Sequence, residues 1–140
     1  MFPKMLKILE QYFNDTKEIA FAFLFGSGTR ANMRKESDID IAVYFRPERD
    51  LEWEDFNRRY KSENRIALDL ERLLKKEVDL IVLNRAKAIL ADEILRKGYP
   101  IVIKDRGIFL EFFCIISDEA EDMRNWLESY YKDTHLESNR

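Results

Sequence analysis

The sequence is poor in the residues that build disulfides, zinc sites and thiol catalysis. It contains one cysteine, Cys114, and one histidine, His135, among 140 residues. A single cysteine excludes an intramolecular disulfide, and one cysteine and one histidine so far apart exclude a zinc site or a cysteine–histidine dyad. Cys114 stands among aromatic residues of a predicted helix, where we expect a small core side chain. The cysteine count favours a reducing, cytoplasmic location.

Long apolar runs and blocks of one charge sign are also missing. No apolar run approaches ~20 residues, and the first residues lack a signal-peptide core, so no membrane association is expected. The 24 basic and 27 acidic residues give a net charge of −3 and are spread along the chain. Without a polybasic stripe, nucleic acid is not expected as the principal ligand. With 46% apolar and 36% charged residues, the chain has the composition of one globular domain.

The apolar periodicity predicts a small mixed α/β domain, a short sheet backed by helices. Helical spacing runs from Phe2 to Phe13, from about Leu51 to Lys75 with polar residues at 62–64 that kink or split it, from Ala86 to Lys97, and from Phe109 to Tyr130. Strands are predicted at 19–25, 38–44, 77–83 and 99–104. We expect Gly98 to end the third helix in the left-handed conformation, and we expect a polar, frayed tail.

Two aspartates open the second predicted strand. Asp38 and Asp40 are two residues apart, so their carboxylates lie on the same face of a strand. Two like charges held that close cost energy unless a cation lies between them. Carboxylate pairs at this spacing suit Mg²⁺, which takes one or two protein carboxylates and fills its shell with water and substrate phosphates.

A glycine-rich turn precedes this pair. The apolar run from Phe21 to Phe25 stops at Gly26-Ser27-Gly28, and a helix start is predicted near Thr29. Glycines let the backbone approach a ligand closely, and the free N–H groups at a helix start attract an anion. A phosphate cradle beside a metal-binding carboxylate pair indicates nucleotide chemistry.

The pattern of Gly26-Ser27, ten further residues and then Asp38-Ile39-Asp40 resembles the signature of the nucleotidyltransferase superfamily that includes DNA polymerase beta. It is most similar to the minimal nucleotidyltransferase (MNT) branch of prokaryotic HEPN–MNT toxin–antitoxin pairs. That family takes a third carboxylate from the next strand, where this chain has Asp79. The resemblance implies the polymerase beta-like fold, with the domain over residues 1–133 and a polar tail over 134–140.

The resemblance also implies roles for individual residues. Asp38 and Asp40 would hold two Mg²⁺ ions, and Asp79 would bind one of them and help to take a proton from the attacking hydroxyl. Gly26, Ser27 and Arg30 would bind the phosphates of the substrate ATP.

Each of these residues also has a simpler interpretation. Asp38 and Asp40 taken alone equally fit solvent-facing positions on an edge strand. Ser27 fits a turn residue whose hydroxyl caps the next helix. Arg30 fits a solvated charge or a partner of Glu36.

Two classes of function remain open from the sequence. By resemblance, the chain is an antitoxin enzyme that transfers AMP from ATP to a tyrosine of a cognate HEPN ribonuclease toxin, with which it forms a hetero-oligomer. About 140 residues leave no second domain to enclose a small acceptor, which favours a protein acceptor. Alternatively, the chain neutralises its partner by binding alone, with the aromatic C-terminal helix as the contact surface. Nucleotidyl transfer to a small molecule is a third possibility.

Overall fold

The chain forms a four-stranded sheet with two helices on each face. The computed structural model describes residues 2–26 and 38–138, with side chains to residue 132. The elements in chain order are α1 (Phe2–Asn14), β1 (Ile19–Phe25), β2 (Ile39–Phe45), α2 (Glu63–Leu74), β3 (Val78–Val82), α3 (Ala88–Lys97), β4 (Tyr99–Ile103) and α4 (Arg106–Ser138). A 3₁₀ turn at Leu83–Arg85 joins β3 to α3. The predicted mixed α/β class is confirmed.

The strand order is β3-β2-β1-β4, which leaves β2 inside the sheet. Strand β1 pairs antiparallel with both β2 and β4. Strands β2 and β3 run parallel, so the chain must cross the sheet between them, and α2 makes that crossover. The crossover follows from the long helical stretch that the sequence predicts before the third strand.

The alternation of side chains along β2 separates two apolar layers. Ile39, Ile41 and Val43 pack with α1 and α2. Ala42 and Tyr44 point to the opposite face, where α3 and α4 cover them. Both faces of the middle strands are buried, which explains why β1 reads as an uninterrupted apolar run.

The predicted helix over Leu51 to Lys75 is wrong in its first half, since α2 begins at Glu63. Residues 51–62 are irregular and are held by side-chain hydrogen bonds to the sheet and α3. The Tyr44 hydroxyl donates to the Glu52 carbonyl oxygen at 2.7 Å, and a Glu54 carboxylate oxygen accepts from the Ala88 backbone N–H at 3.0 Å. These side-chain hydrogen bonds take the place of helical backbone hydrogen bonds. The helical spacing of Trp53, Phe56 and Tyr60, on which the prediction rests, gives no sign of them.

Buried Asn84 extends the sheet where β3 ends. Its side-chain oxygen accepts from the Phe45 N–H, and its side-chain nitrogen donates to the Phe45 carbonyl oxygen, both at 2.9 Å. The same nitrogen donates to a Glu52 carboxylate oxygen at 3.0 Å. The amide thus satisfies both backbone groups of Phe45, which would otherwise be buried without partners.

The expectation for Gly98 is also wrong, because its φ of −76° and ψ of 171° are extended. Glycine is required there for space. A Cβ atom at this position would lie 2.5 Å from the Ile94 carbonyl oxygen and 2.9 Å from that of Leu24. Close approach of α3 to β1, rather than a left-handed turn, therefore selects the residue.

Helix α4 has 33 residues and is about 50 Å long at ~1.5 Å per residue. Phe112 and Ile116 are buried against the sheet and α3, and Ala120, one turn later, is also buried. Cys114 is exposed, contrary to expectation, because it lies off this stripe. The backbone stays helical to Ser138, so the frayed tail expected from residue 133 is not observed there, while the domain boundary at 133/134 stays a prediction. No helix within the described ranges is long and apolar enough to cross a membrane.

A buried carboxylate ties α4 to α3. The side chain of Asp92 is 0% exposed and forms ion pairs of 2.8 Å with both Arg96 and Arg124. Burial alone would raise the pKa of Asp92, but the hydrogen bonds and charges of the two arginines outweigh it and leave the pKa lowered. Asp92 therefore stabilises the fold in its ionised form.

We expect Asp92→Asn to lower the free energy of unfolding at pH 7 by about 2 kcal/mol, because two charge-assisted hydrogen bonds weaken. The neighbouring Glu93 pairs with Lys97 at the surface, at 3.3 Å, so Glu93→Gln should cost less than ~0.5 kcal/mol. The pKa of Asp92 is lowered on folding, so the difference between wild type and Asp92→Asn should shrink as the pH falls below about 4. Urea unfolding at several pH values measures this, and equal costs for the two variants at pH 7 would contradict it.

Candidate active site

Three aspartates lie at one end of the sheet. Asp40 and Asp79 are direct partners in the parallel pairing of β2 with β3, so their Cα atoms are about 4.8 Å apart. Asp38 immediately precedes β2. All three occupy positions in phase with Ala42, Tyr44 and Ile81, on the sheet face that α3 and α4 cover.

This placement contradicts the edge-strand part of the simpler interpretation of the acids. Strand β2 is paired on both sides, so it is not an edge strand. Further along the same face, Ala42 and Tyr44 are 0% exposed. The acids thus lie where a covered face opens to solvent, with Asp38 and Asp79 exposed and Asp40 half-buried.

The electrostatics of the site are unfavourable without a counter-charge. The pKa of the Asp40 carboxyl is raised, first by burial and then by the negative charges of Asp79 and Asp38. Like charges close together disfavour the ionised form. The arrangement weakens the folded state at neutral pH, as is common where charges serve binding or catalysis.

Gly26 completes the described part of the site. Phe25 pairs with Asp40 across β1 and β2, which places the following glycine beside the Asp40 side chain. Gly26 has a φ of 73°, and a Cβ atom there would lie 2.5 Å from Asp40 Oδ2. Both the left-handed backbone and the space beside the carboxylate therefore require glycine.

The donor set fits Mg²⁺ in its chemistry. All three side chains offer carboxylate oxygens, and their mutual repulsion is what a divalent cation relieves. Within residues 2–26 and 38–132, no three His, Cys, Asp or Glu side chains are grouped as ligands of one ion. Mg²⁺ usually binds through one or two carboxylates together with water and phosphate oxygens, so two of these aspartates suffice.

The fold therefore brings together four of the residues predicted from the sequence: Gly26, Asp38, Asp40 and Asp79. Ser27 and Arg30 lie outside the described residues, as does the predicted helix start near Thr29. What the sequence did not indicate is the support behind the acids. Tyr44 lies on the same sheet face as the acids, and its hydroxyl holds residue 52 in place. The alternation along β2 predicts the face of Tyr44 but not this hydrogen bond.

Comparison with known families decides the classification. The family described as "Polymerase beta, Nucleotidyltransferase" matches residues 7–107. The chain belongs to the polymerase beta nucleotidyltransferase family. The matched range contains both the Gly26 turn and the three aspartates, so the resemblance noted from these residues is confirmed. The chain is therefore a nucleotidyltransferase, as predicted, and the mixed α/β fold agrees with this family.

Solved structures share the fold over nearly the whole nucleotidyltransferase chain. One is the toxin–antitoxin complex MntA–HepT in a doubly mutated form, with 19% identity, 96% of this chain and 98% of that chain covered, and a TM-score of 0.68. A toxin–antitoxin structure with AMP-PNP gives 21% identity, the same coverages and 0.67. A tri-AMPylated Shewanella oneidensis HEPN toxin in complex with MNT antitoxin gives 18% identity, coverages of 93% and 98%, and 0.62. No curated protein matches the chain in a sequence search.

Proposed function

We propose that the protein is an antitoxin that transfers AMP from ATP to a tyrosine hydroxyl of a cognate HEPN ribonuclease toxin. The observation that carries this proposal is the register pairing of Asp40 with Asp79 at the end of the sheet, with Asp38 two residues before Asp40 and Gly26 against the Asp40 carboxylate, in a chain of the nucleotidyltransferase family. The structural neighbours add support, since one holds AMP-PNP and another an AMPylated toxin.

In the proposed reaction, the acceptor oxygen attacks the α-phosphorus of ATP. A bond forms between that oxygen and phosphorus, the bond from the α-phosphorus to the oxygen that bridges to the β-phosphate breaks, and pyrophosphate leaves. The hydroxyl proton moves to Asp79. The Gly26 backbone, the Ser27 hydroxyl and Arg30 bind the triphosphate and keep the α-phosphate near the acids.

Asp38, Asp40 and Asp79 would hold two Mg²⁺ ions. When bound, these ions would neutralise the charge that develops on the attacking and leaving oxygens. The raised pKa of Asp40 supports this assignment, because Asp79 and Asp38 contribute to it and a cation would reverse their effect.

A protein acceptor fits the shape of the site. Asp38 and Asp79 are exposed side chains at the end of the sheet, which leaves room for a macromolecular surface to approach. An open site must take its specificity from contacts outside the reacting groups, and those contacts would come from the partner interface.

The projecting half of α4 offers such an interface. Beyond Ala120, α4 exposes Met123 (47%), Trp126 (61%) and Tyr131 (59%). Positions 123, 126, 127, 130 and 131 recur at helical spacing, so they form one apolar face. Exposed apolar faces rich in aromatic residues are typical of protein contacts, and this face favours the second candidate function, neutralisation by binding.

We expect Trp126→Ala with Tyr131→Ala to weaken the complex with the toxin at least ~30-fold, since loss of two interface aromatics should together cost ~2 kcal/mol or more. Leu68, 54% exposed on α2, provides the matched control, and Leu68→Ala should change the affinity less than twofold. Calorimetric titration without ATP measures binding alone. Unchanged affinity in the α4 variant would rule out this face as the contact.

Transfer and binding are separated by the variant with both Asp38→Asn and Asp40→Asn. Under the transferase proposal, this variant still binds the toxin but releases no pyrophosphate from ATP when the toxin is added. If the variant protects cells from the toxin as well as the wild type does at native expression, binding alone neutralises the toxin. The transferase proposal would then be replaced by the binding one.

A further inference from the structure

A basic cavity lies at the opposite end of β2 from the acids. It has a volume of about 560 Å³ and is lined by Phe45 and Arg46 from the end of β2, by residues 58–62 of the irregular segment and by Arg65 of α2. Phe45 is five residues beyond Asp40, about 17 Å along the strand at ~3.4 Å per residue. The cavity is therefore separate from the proposed active site.

The charge of the cavity is the reverse of that of the chain. Five cationic side chains line it: Arg46, Arg58, Arg59, Lys61 and Arg65. Four carboxylates oppose them, because Arg46 pairs with Asp105, Arg58 with Glu48 and Glu52, and Arg65 with Glu18. Arg59 and Lys61 form no ion pair among the described residues, so the cavity keeps one excess positive charge in a protein of net charge −3. Charges gathered in a cleft attract ions of the opposite sign more strongly than the same charges on an open surface.

Several of these cations are held in place by bonds that leave N–H groups available. Arg65 pairs with Glu18 at 2.6 Å, and one Arg59 nitrogen donates to the Phe56 and Arg58 carbonyl oxygens. An arginine carries five N–H donors, and these contacts use only part of them. The remaining N–H donors of Arg59 and Arg65 are thus already positioned, so binding an anion would cost little additional side-chain entropy.

The Arg58 guanidinium is the most tightly positioned of the five. It lies over the Tyr60 ring at 4.6 Å from the centroid, and the other face of that ring stacks on Phe45 at 4.2 Å. Its Nε atom is buried and has no hydrogen-bond partner among the described residues, although Glu52 lies 3.4 Å away. Both faces of Tyr60 are occupied, so this ring offers no stacking surface to a nucleotide base.

From this arrangement we propose that the cavity is a second anion site, which binds small phosphate-bearing molecules through their phosphate groups alone. Arginine forks and a lysine match phosphate oxygens, and Arg59 and Lys61, the two lining cations without an ion pair among the described residues, supply the charge that attracts an anion. The volume is that of a small-ligand pocket. The 12-residue helix α2 begins at this cavity, with Ser62 in the lining, and adds the positive end of its dipole.

The test is a titration of inorganic pyrophosphate and ADP into the full chain, in EDTA and low salt. We expect both probes to bind with affinities within about threefold of each other and adenosine not to bind. Arg59→Gln with Lys61→Gln should weaken pyrophosphate binding at least ~10-fold, since each lost charge-assisted hydrogen bond accounts for about a factor of ten. The control variant, Lys7→Gln with Arg72→Gln, also removes one lysine and one arginine charge, but from exposed positions outside the cavity. It should change the affinity less than about threefold.

The charge reversal Lys61→Glu is a second test that does not depend on the folding of the double variant. Lys61 is exposed, so this substitution should leave the fold intact. It should weaken pyrophosphate binding at least ~10-fold, with the circular dichroism spectrum of the wild type. Asp38→Asn with Asp40→Asn should not weaken binding. The proposal is overturned if the wild type does not bind pyrophosphate, if the cavity variants bind as well as their controls, or if ADP binds at least ~10-fold more tightly than pyrophosphate.

Discussion

Replacing Asp40 by Asn is expected to reduce nucleotidyl transfer by about 100-fold or more and to leave the fold intact. Asp40 lies between the other two acids, as the register partner of Asp79 and two residues after Asp38. Burial, and then the charges of Asp79 and Asp38, raise the pKa of Asp40. An amide keeps the shape of the side chain but removes the negative charge that would hold a cation.

Stability measurements separate this loss from misfolding. Because the pKa of Asp40 is raised in the folded state, its ionisation at neutral pH weakens the fold. Asp40→Asn should therefore raise the melting temperature in EDTA or leave it unchanged. Asp118 is an exposed aspartate on α4, and Asp118→Asn should retain full activity. Transfer above a tenth of the wild-type rate by Asp40→Asn would contradict the assignment of the acids.

The second large effect is expected from Gly26→Ala. The new Cβ atom would lie 2.5 Å from Asp40 Oδ2, too close for either atom to keep its position, and the φ of 73° disfavours any side chain. We expect transfer to fall by ~10-fold or more, because the Asp40 carboxylate must move away from the site. Strain at this φ should also lower the free energy of unfolding by about 1 kcal/mol.

Gly107 provides the control for this substitution. A Cβ atom there would approach no closer than 3.4 Å to Asp105 Oδ1, and the residue lies in the first turn of α4. Gly107→Ala should leave activity unchanged and preserve or raise stability. If Gly26→Ala transfers nucleotide within twofold of the wild-type rate, the close packing of Gly26 against Asp40 has no role in the reaction.

The sequence predicted most of the fold because its signals are local. The apolar run of β1, the alternation that begins at Asp38 and the helical spacing of α1 depend on neighbouring residues alone. Asp38 and Asp40 could be found for the same reason, since they share a face by strand geometry, whereas Asp79 is indicated by the family resemblance. Their meeting follows from the parallel register of β2 with β3.

What the sequence could not predict depends on contacts between distant residues. The irregular segment 51–62 is fixed by hydrogen bonds to Tyr44, Ala88 and Asn84, and no local pattern encodes those bonds. The local pattern predicts a left-handed helix end at Gly98, whereas the close approach of β1 selects this residue. The basic cavity gathers Arg46 with Arg65 from 19 positions later, so it exists only in the folded chain.

The central claim is that the acids transfer AMP to a protein. The most direct measurement is intact-mass spectrometry of the proposed cognate HEPN toxin, after incubation with this protein, ATP and Mg²⁺. The account predicts that the toxin gains one or more adenylyl groups on a tyrosine, that EDTA abolishes the gain, and that the variant with Asp38→Asn and Asp40→Asn yields none. An unmodified toxin in a stable complex with the wild-type protein would contradict the account and leave binding as the means of neutralisation.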